Sequence, residues 1–561
     1  MSPDSADSTG AGPTGARPTG MARLLDGIER VGNKVPDPTV LFVYLIAFVA
    51  VLSAILAWAG VSVTEQTVVP DRSQALLGEL NEHLGGNYSL YDSVTGEPAT
   101  LPHYVVETTE YPIRNLLSVA GLRFFFSSFV DNFAGFGVVA VVLISMGGVG
   151  VAEHAGMMGA LIRRIVRVAP PRALTFILVL VGVVSSVATD AGYLILVPLA
   201  AAAFASVGRH PLAGMAPAFA GVGAVFGVNL LITPTDSMLT EITNDVLSGL
   251  GKPGINVTQN LYFSVVSSIV MALVIALFTT RFVERRLGPW DPSQAGEAPP
   301  ADAVDAAAEQ RGLRFAGWTL LGVVVVLAAL TLPPRAPLRD PDTGDIIGTT
   351  PFMTSLIFVI ALAFLLCGIA YGRGARTLAG GAQIVRAVAT TWGTLAGLLV
   401  MLLAIAQFIA LFNWSNLPTV TAIEAARALE HVHVPAIVLL LIFILVIVLL
   451  DLILPGLIPK WAIFAPVFVP LFATLGVAPQ TLLAAYRVGD SPSNVVTPLM
   501  VYLPFIVTVA RKYAKNAGLG TVISLMLPYT VVVLGSWIVL FVAWFYLGVP
   551  WGPGAPVHLP S

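Results

Sequence analysis

The stretch YRVGDSPSNVVTPLMVYLP, residues 486–504, holds Arg487, Asp490, Asn494 and Thr497 with three prolines and a glycine, yet apolar sequence flanks it on both sides. Ionisable residues inside a hydrophobic span cost at least ~2.5–3.5 kcal/mol each on insertion scales, so each needs a partner or water. Helix breakers at that depth survive only where the freed backbone is buried in protein or lines a wet cavity. The stretch therefore reads as a broken membrane helix, and the rest of the chain supports that reading. Of 561 residues, 56% are hydrophobic and 11% charged, against about 25% charged in soluble domains. The net charge of -3 gives no basic face for nucleic acid. The single cysteine, Cys367, excludes an internal disulfide, and the seven histidines show no metal-ligand spacing. Residues 1–22 read as a disordered tail, without the apolar core of a signal peptide.

Spanning segments need about 20 apolar residues. Uninterrupted candidates begin near Val40, Phe136, Tyr262, Trp318, Met353, Leu395 and Thr521, and interrupted ones near Pro211 and Thr481. Two longer apolar stretches, 172–207 and 435–476, are broken at their centres and read as re-entrant hairpins. The expected fold is an all-α polytopic membrane protein with about nine transmembrane helices plus two hairpins. Arginines and lysines cluster around 23–34, 163–172, 281–286, 373–376 and 511–515, on one side in this count. The positive-inside rule makes that side cytoplasmic, with the N-terminus inside and the C-terminus outside. The first hairpin then enters from inside and the second from outside, an inverted repeat. The expected division is a first half 23–286 with an external segment 64–110, a cytoplasmic linker 287–312, a second half 313–550 and a tail 551–561.

Four breaks carry the polar chemistry: SSVATDAGY (185–193), GVNLLITPTDS (227–237), LPGLIPKW (454–461) and GDSPSNVVTP (489–498). Asn229-Leu-Leu-Ile-Thr-Pro234 and Asn494-Val-Val-Thr-Pro498 occupy corresponding broken helices, the best sequence pointer to a transporter's binding site. Unwound carbonyls with Asn229, Asn494, Thr497, Ser185 and Ser186 suit a hard monovalent cation, and the sodium ligands expected here are Asn229 and Asn494. Asp190 and Asp490 are candidates for the proton or for completing the cation site. Arg487 suits a carboxylate, through its planar fork. Asp490, one turn on from Arg487, has three roles open: pairing with Arg487, binding a cation, or carrying a proton. Structural readings compete. Arg487 and Asp490 can form a plain ion pair, Asp236 can cap its helix, Lys460 can snorkel, and Trp461 can sit in an interfacial belt.

The chain resembles the p-aminobenzoyl-glutamate transporters of the AbgT family. The resemblance runs through LLDGIERVGNKVPDP (24–38), SSFVDNFAGFGVVAVVLISMGGVGVAEHAG (127–156), SSVATDAGYLILVPLAA, GRHPLAGMAPAFAGV, NWSNLP, KWAIFAPVFVP and YRVGDSPSNVVTPLM. It implies a homodimer in the cytoplasmic (inner) membrane and uptake of p-aminobenzoyl-glutamate coupled to sodium or protons. In some members it implies export of sulfonamide drugs. It also implies functional roles for Asp190, Trp461, Pro479, Arg487, Asp490 and Pro498. The second hairpin tip departs from the family pattern. Asp451 stands where an asparagine is expected, and Pro455-Gly456-Leu457-Ile458-Pro459 replaces a serine-containing tip before Lys460 and Trp461. The substitution adds a carboxylate and removes hydroxyl ligands, so altered substrate contacts or a more proton-dependent mechanism is expected. The expected substrate set is therefore Arg487, Trp461, Asp490, Pro479, Pro498, Asp451 and Lys460, with no catalytic residues and no cofactor beyond the coupling ion. An intramembrane aspartyl hydrolase using Asp190 and Asp490 is the remote alternative.

Overall fold

The computed structural model describes residues 38–70, 104–187, 192–291, 305–347, 350–430, 434–454 and 456–558. Asp190 and Pro455 lie outside them, as do the N-terminal tail and most of the external segment and linker. The chain is predominantly helical, as the composition demands. Among the described residues, eight helices are long and apolar enough to cross a membrane. All but Leu457–Thr474 coincide with the uninterrupted crossings read from the sequence, and that one lies in the second stretch expected to form a hairpin.

The first half runs α1 (Pro38–Trp58), β1 (Ser62–Pro70), β2 (Tyr104–Pro112), α2 (Val119–Ala134), α3 (Gly137–His154), α4 (Met157–Val168), α5 (Leu174–Ser185), α6 (Val197–Ser206), α7 (Pro211–Phe219), α8 (Pro234–Gly249) and α9 (Leu261–Phe278). The second half runs α10 (Ala306–Thr331), α11 (Pro351–Ala375), α12 (Gly381–Thr394), α13 (Ala396–Trp414), α14 (Leu417–Glu430), α15 (Ala436–Asp451), α16 (Leu457–Thr474), α17 (Pro479–Asp490), α18 (Leu503–Tyr513) and α19 (Leu519–Leu547). β1 and β2 form an antiparallel ribbon from Ser62 opposite Pro112 to Pro70 opposite Tyr104, at the two ends of the expected external segment. The amphipathic helices α4 and α12 have no counterpart in a hydropathy reading, because their polar faces mask their apolar ones.

The order helix, break, helix, broken helix occurs in each half: α5–α6 then α7–α8, and α15–α16 then α17–α18. α5 has 12 residues, about 18 Å of helix against a hydrocarbon core of about 30 Å. Arg209, just beyond α6, donates to Thr175 at the start of α5, so both ends of the first stretch meet. Ion pairs gather on the same face: Arg209 with Glu284, and Arg163 with Glu309 of the other half. The opposite face carries the ribbon, whose end is tied to α13 by Arg114 N–H to Ser415 O and Asn416 to Pro112 O. The segment after α19 folds back onto this second face and is packed there. Trp551 is fully buried, its carbonyl accepts from Tyr262 and Phe263, and its indole donates to Thr481 of α17 at 2.6 Å.

The breaks have local causes. Proline opens α7, α8 and α17, where its missing N–H is not needed. Thr233 caps α8 and Asp236 closes the capping box. Gly456 at the second tip has φ 103°, which glycine alone adopts readily. The tip therefore turns by glycine where the family pattern has a serine. Five-residue π turns precede α6 and follow α7, both beside breaks, where such turns frequently mark functional sites.

Candidate functional site

The two broken helices meet at their breaks. Gly227 N–H donates to Ser491 Oγ at 2.8 Å, and Ser491 Oγ donates on to Arg487 O at 3.1 Å. A Cβ at Gly227 would stand 2.6 Å from Ser491 Oγ and 3.3 Å from Arg487 Cβ. Glycine is therefore what lets the halves approach this closely. From α17, Arg487 Nη1 donates to Gly227 O at 2.7 Å and to Asp236 Oδ1 at 2.6 Å. Asp236 Oδ2 meanwhile accepts from Thr233 N–H and Oγ1, both at 2.7 Å. The cap of α8 and the partner of Arg487 are therefore one residue. It sits at the start of α8 directly after the break. Arg487 Nε is buried with no hydrogen-bond partner among the described residues.

A second cluster lies where the second hairpin tip meets the end of α17. Lys460 Nζ contacts Asp451 Oδ1 and, at 2.6 Å, Asp490 Oδ1. All three side chains are fully buried. With both carboxylates ionised, the two carboxylates and one ammonium carry one negative charge in excess. The second oxygen of each carboxylate takes no hydrogen bond from Lys460, and the Ser493 hydroxyl lies beside Asp451. The fully buried Tyr486 donates to Leu457 O and lies 3.4 Å from Asp490 Oδ1. Thr497 Oγ1 ties the break after α17 to the hairpin through Leu452 O at 3.2 Å.

The geometry corrects several expectations. Arg487 does not pair with Asp490. The helix spacing that favoured such a pair is overridden by partners from distant elements, Asp236 for one and Lys460 for the other. Lys460 does not snorkel, because two carboxylates inside the fold hold it. Its ammonium is held by Asp451 and Asp490 in this arrangement. Trp461 is not a belt residue: it is wholly buried, donates to Thr243 Oγ1 at 3.0 Å and packs on Tyr486 at 4.7 Å between ring centroids.

Asn229 does not present its oxygen to the first hairpin. Its amide donates to Val183 O at 2.8 Å and Ser186 Oγ at 2.9 Å, and its Oδ1 accepts from Leu231 N–H. The amide occupies the carbonyl cluster at the end of α5 where a cation was expected. Ser185 donates to Gly182 O, within its own helix. Ser264 of α9 holds the Asn229 backbone from both sides, accepting from its N–H and donating to its carbonyl. Asn494 lies in the short 3-10 turn Pro492–Val495. Pro479 opens α17, and Pro498 lies in the irregular chain before α18. Tyr486, Ser491, Thr243 and Ser264 went unnoticed in the sequence, where nothing distinguishes them from other hydroxyl residues in apolar runs.

This polar junction of two halves, each with a broken helix, is the arrangement of a carrier. The profile of the family described as "AbgT putative transporter family" matches residues 23–559. The chain belongs to the AbgT family. It is 31% identical over 533 residues to the "p-aminobenzoyl-glutamate transport protein" of Escherichia coli (strain K12), covering 95% of this chain and 96% of that one. Two solved AbgT-like structures superpose with a TM-score of 0.80 each. One is the Alcanivorax borkumensis YdaH transporter, 34% identical over 92% of this chain and 100% of its own. The other is Neisseria gonorrhoeae MtrF, 35% identical over 95% of this chain and 100% of its own, described as illuminating a class of antimetabolite efflux pumps. The chain is thus a multi-pass membrane transporter of a small molecule and not an enzyme, which sets the hydrolase reading aside.

Proposed function

We propose that this AbgT member is a cation-coupled secondary transporter of p-aminobenzoyl-glutamate or a related aromatic carboxylate in the inner membrane. The observation that carries the coupling is the Asp451–Lys460–Asp490 cluster, sealed from solvent, with two ionisable carboxylates for one ammonium and a second oxygen on each carboxylate outside the hydrogen bonds to Lys460. A proton or a sodium ion taken between those oxygens neutralises the cluster. It also ties the second hairpin tip to the break after α17, so cation occupancy favours one arrangement of the hairpin. A cation shifts a carrier's equilibrium only by its differential affinity for the two states, and a cluster shared between two elements supplies that difference.

For substrate, the unpaired Nε edge of Arg487 offers a donor to a carboxylate while Nη1 stays on Asp236. Trp461 and Tyr486 supply aromatic surface once the hairpin moves. The E. coli relative's name supports the substrate class. In this reading the hairpins are re-entrant and the arginine-rich face is cytoplasmic. The protein is a homodimer with the N-terminus inside and the C-terminus outside. Proton-driven export of sulfonamide-type compounds is the second reading, favoured by the likeness to MtrF. The test is uptake of labelled p-aminobenzoyl-glutamate into proteoliposomes under separately imposed sodium and proton gradients. Concentrative uptake under one gradient, lost in Asp490→Ala, is expected. Folded protein that moves neither this compound nor sulfonamides under any gradient overturns the proposal.

A further inference from the structure

On the arginine-rich face, α4 of the first half and α10 of the second enclose a pocket of about 250 Å³ lined by Leu161, Arg164, Gln310, Leu313 and Arg314. Both arginines are exposed, and neither is in a salt bridge among the described residues. Glu309, the residue before Gln310 on α10, is already taken by Arg163, whose Nε and Nη2 both donate to it. Two guanidinium groups from opposite halves thus line one pocket without a salt-bridge partner among the described residues.

Leu161 also lines a second, apolar groove of about 320 Å³ between α4 and α5, with Met158, Ile165, Ile177, Val181 and Val184. Ser185, the last residue of α5, also lines this groove. Its neighbour Ser186 is held by Asn229 of the first break. A basic pocket that adjoins an apolar groove across one shared side chain, Leu161, matches a molecule with an anionic head and a hydrocarbon tail.

We propose that this is a binding site for an anionic phospholipid. The phosphate is held by the forks of Arg164 and Arg314, with Gln310 beside them, and one acyl chain lies along the α4–α5 groove. Arginine's planar fork matches a phosphate's oxygens. Basic pockets between membrane helices on the cytoplasmic side take anionic headgroups for the same reason. A free phosphate satisfies the pocket but leaves the groove empty. A zwitterionic lipid fills the groove but brings a positive charge towards two arginines. A bound lipid spans the two halves at α4 and α10 and braces α5, the arm that ends at the polar junction.

The test is the melting temperature of the full-length protein in a neutral detergent, with added phosphatidylglycerol, phosphatidylcholine or inorganic phosphate. A ligand that binds only the folded state raises it with concentration. The expected result is a rise with phosphatidylglycerol that is several-fold larger than with either other addition. Arg164→Gln with Arg314→Gln loses that rise while keeping the unliganded melting temperature. The paired arginine-to-lysine variant keeps at least half of the rise, which separates lost charge from misfolding. Leu161→Trp, which adds bulk at the residue shared by pocket and groove, also reduces it. An equal rise with inorganic phosphate makes the pocket a free-anion site and overturns the lipid assignment. An equal rise with phosphatidylcholine, an undiminished rise in the glutamine pair, or no rise at all also overturns it.

Discussion

Replacing Asp451 by asparagine removes one of the two carboxylates on the Lys460 ammonium while keeping an oxygen to accept its hydrogen bond. The excess negative charge disappears, leaving Lys460 and Asp490 as a neutral pair. Both carboxylates bind one nitrogen, so a cation between them lies within roughly 5 Å of Asp451, and at an effective dielectric of ~20 that charge contributes about 3 kcal/mol to its binding. The expected effect is a rise on the order of a hundredfold in the sodium or proton concentration needed for half-maximal uptake. Asparagine's size should leave the melting temperature nearly unchanged. The assay is initial uptake rate in proteoliposomes against external cation, in wild type and Asp451→Asn reconstituted at equal density. An unchanged half-saturating concentration and maximal rate would refute the reasoning, because a cluster that feels no loss of charge is not where the cation binds.

Asp236→Ala leaves Arg487 buried with only a carbonyl partner and strips the cap of α8, so a loss of about 3–5 kcal/mol is expected, read as a lower melting temperature; an unchanged value would show that the pair adds nothing. Arg487→Lys keeps the charge but not the fork, and should raise the KM for p-aminobenzoyl-glutamate at least tenfold; an unaltered KM would remove Arg487 from the substrate site. Gly227→Ala drives a methyl against Ser491 and should cost about 1–3 kcal/mol, with partial recovery in combination with Ser491→Gly; thermal unfolding of both variants checks it. Trp551→Ala empties a fully buried ring position that holds Thr481 and should cost about 3–5 kcal/mol; a chain as stable as wild type would show that the segment after α19 only rests on the surface.

Hydropathy located the long helices because a crossing segment must be apolar over its whole length, and nothing else in a sequence looks like that. It passed over α4 and α12, whose periodic polar faces pull the average down. The breaks were legible for a related reason. Glycine, proline and charge have no place in a continuous apolar helix, so their presence in 227–237, 454–461 and 489–498 had to mean irregular backbone with work to do. Which residues would carry charge was readable in the same way: Asp236, Asp451, Lys460, Arg487 and Asp490 stand out one by one.

Their pairing was not readable. Local spacing put Arg487 beside Asp490, whereas the fold gives Arg487 to Asp236 and Asp490 to Lys460, partners 251 and 30 positions away. Sequence by itself determined that this is a membrane carrier with two broken halves, because bilayer cost acts on each residue wherever its partners are. Only the tertiary structure decided which charges neutralise one another and where one negative charge is left over. An ion pair depends on distances of a few ångströms between elements far apart in the chain, and those distances exist only once the two halves have packed against each other.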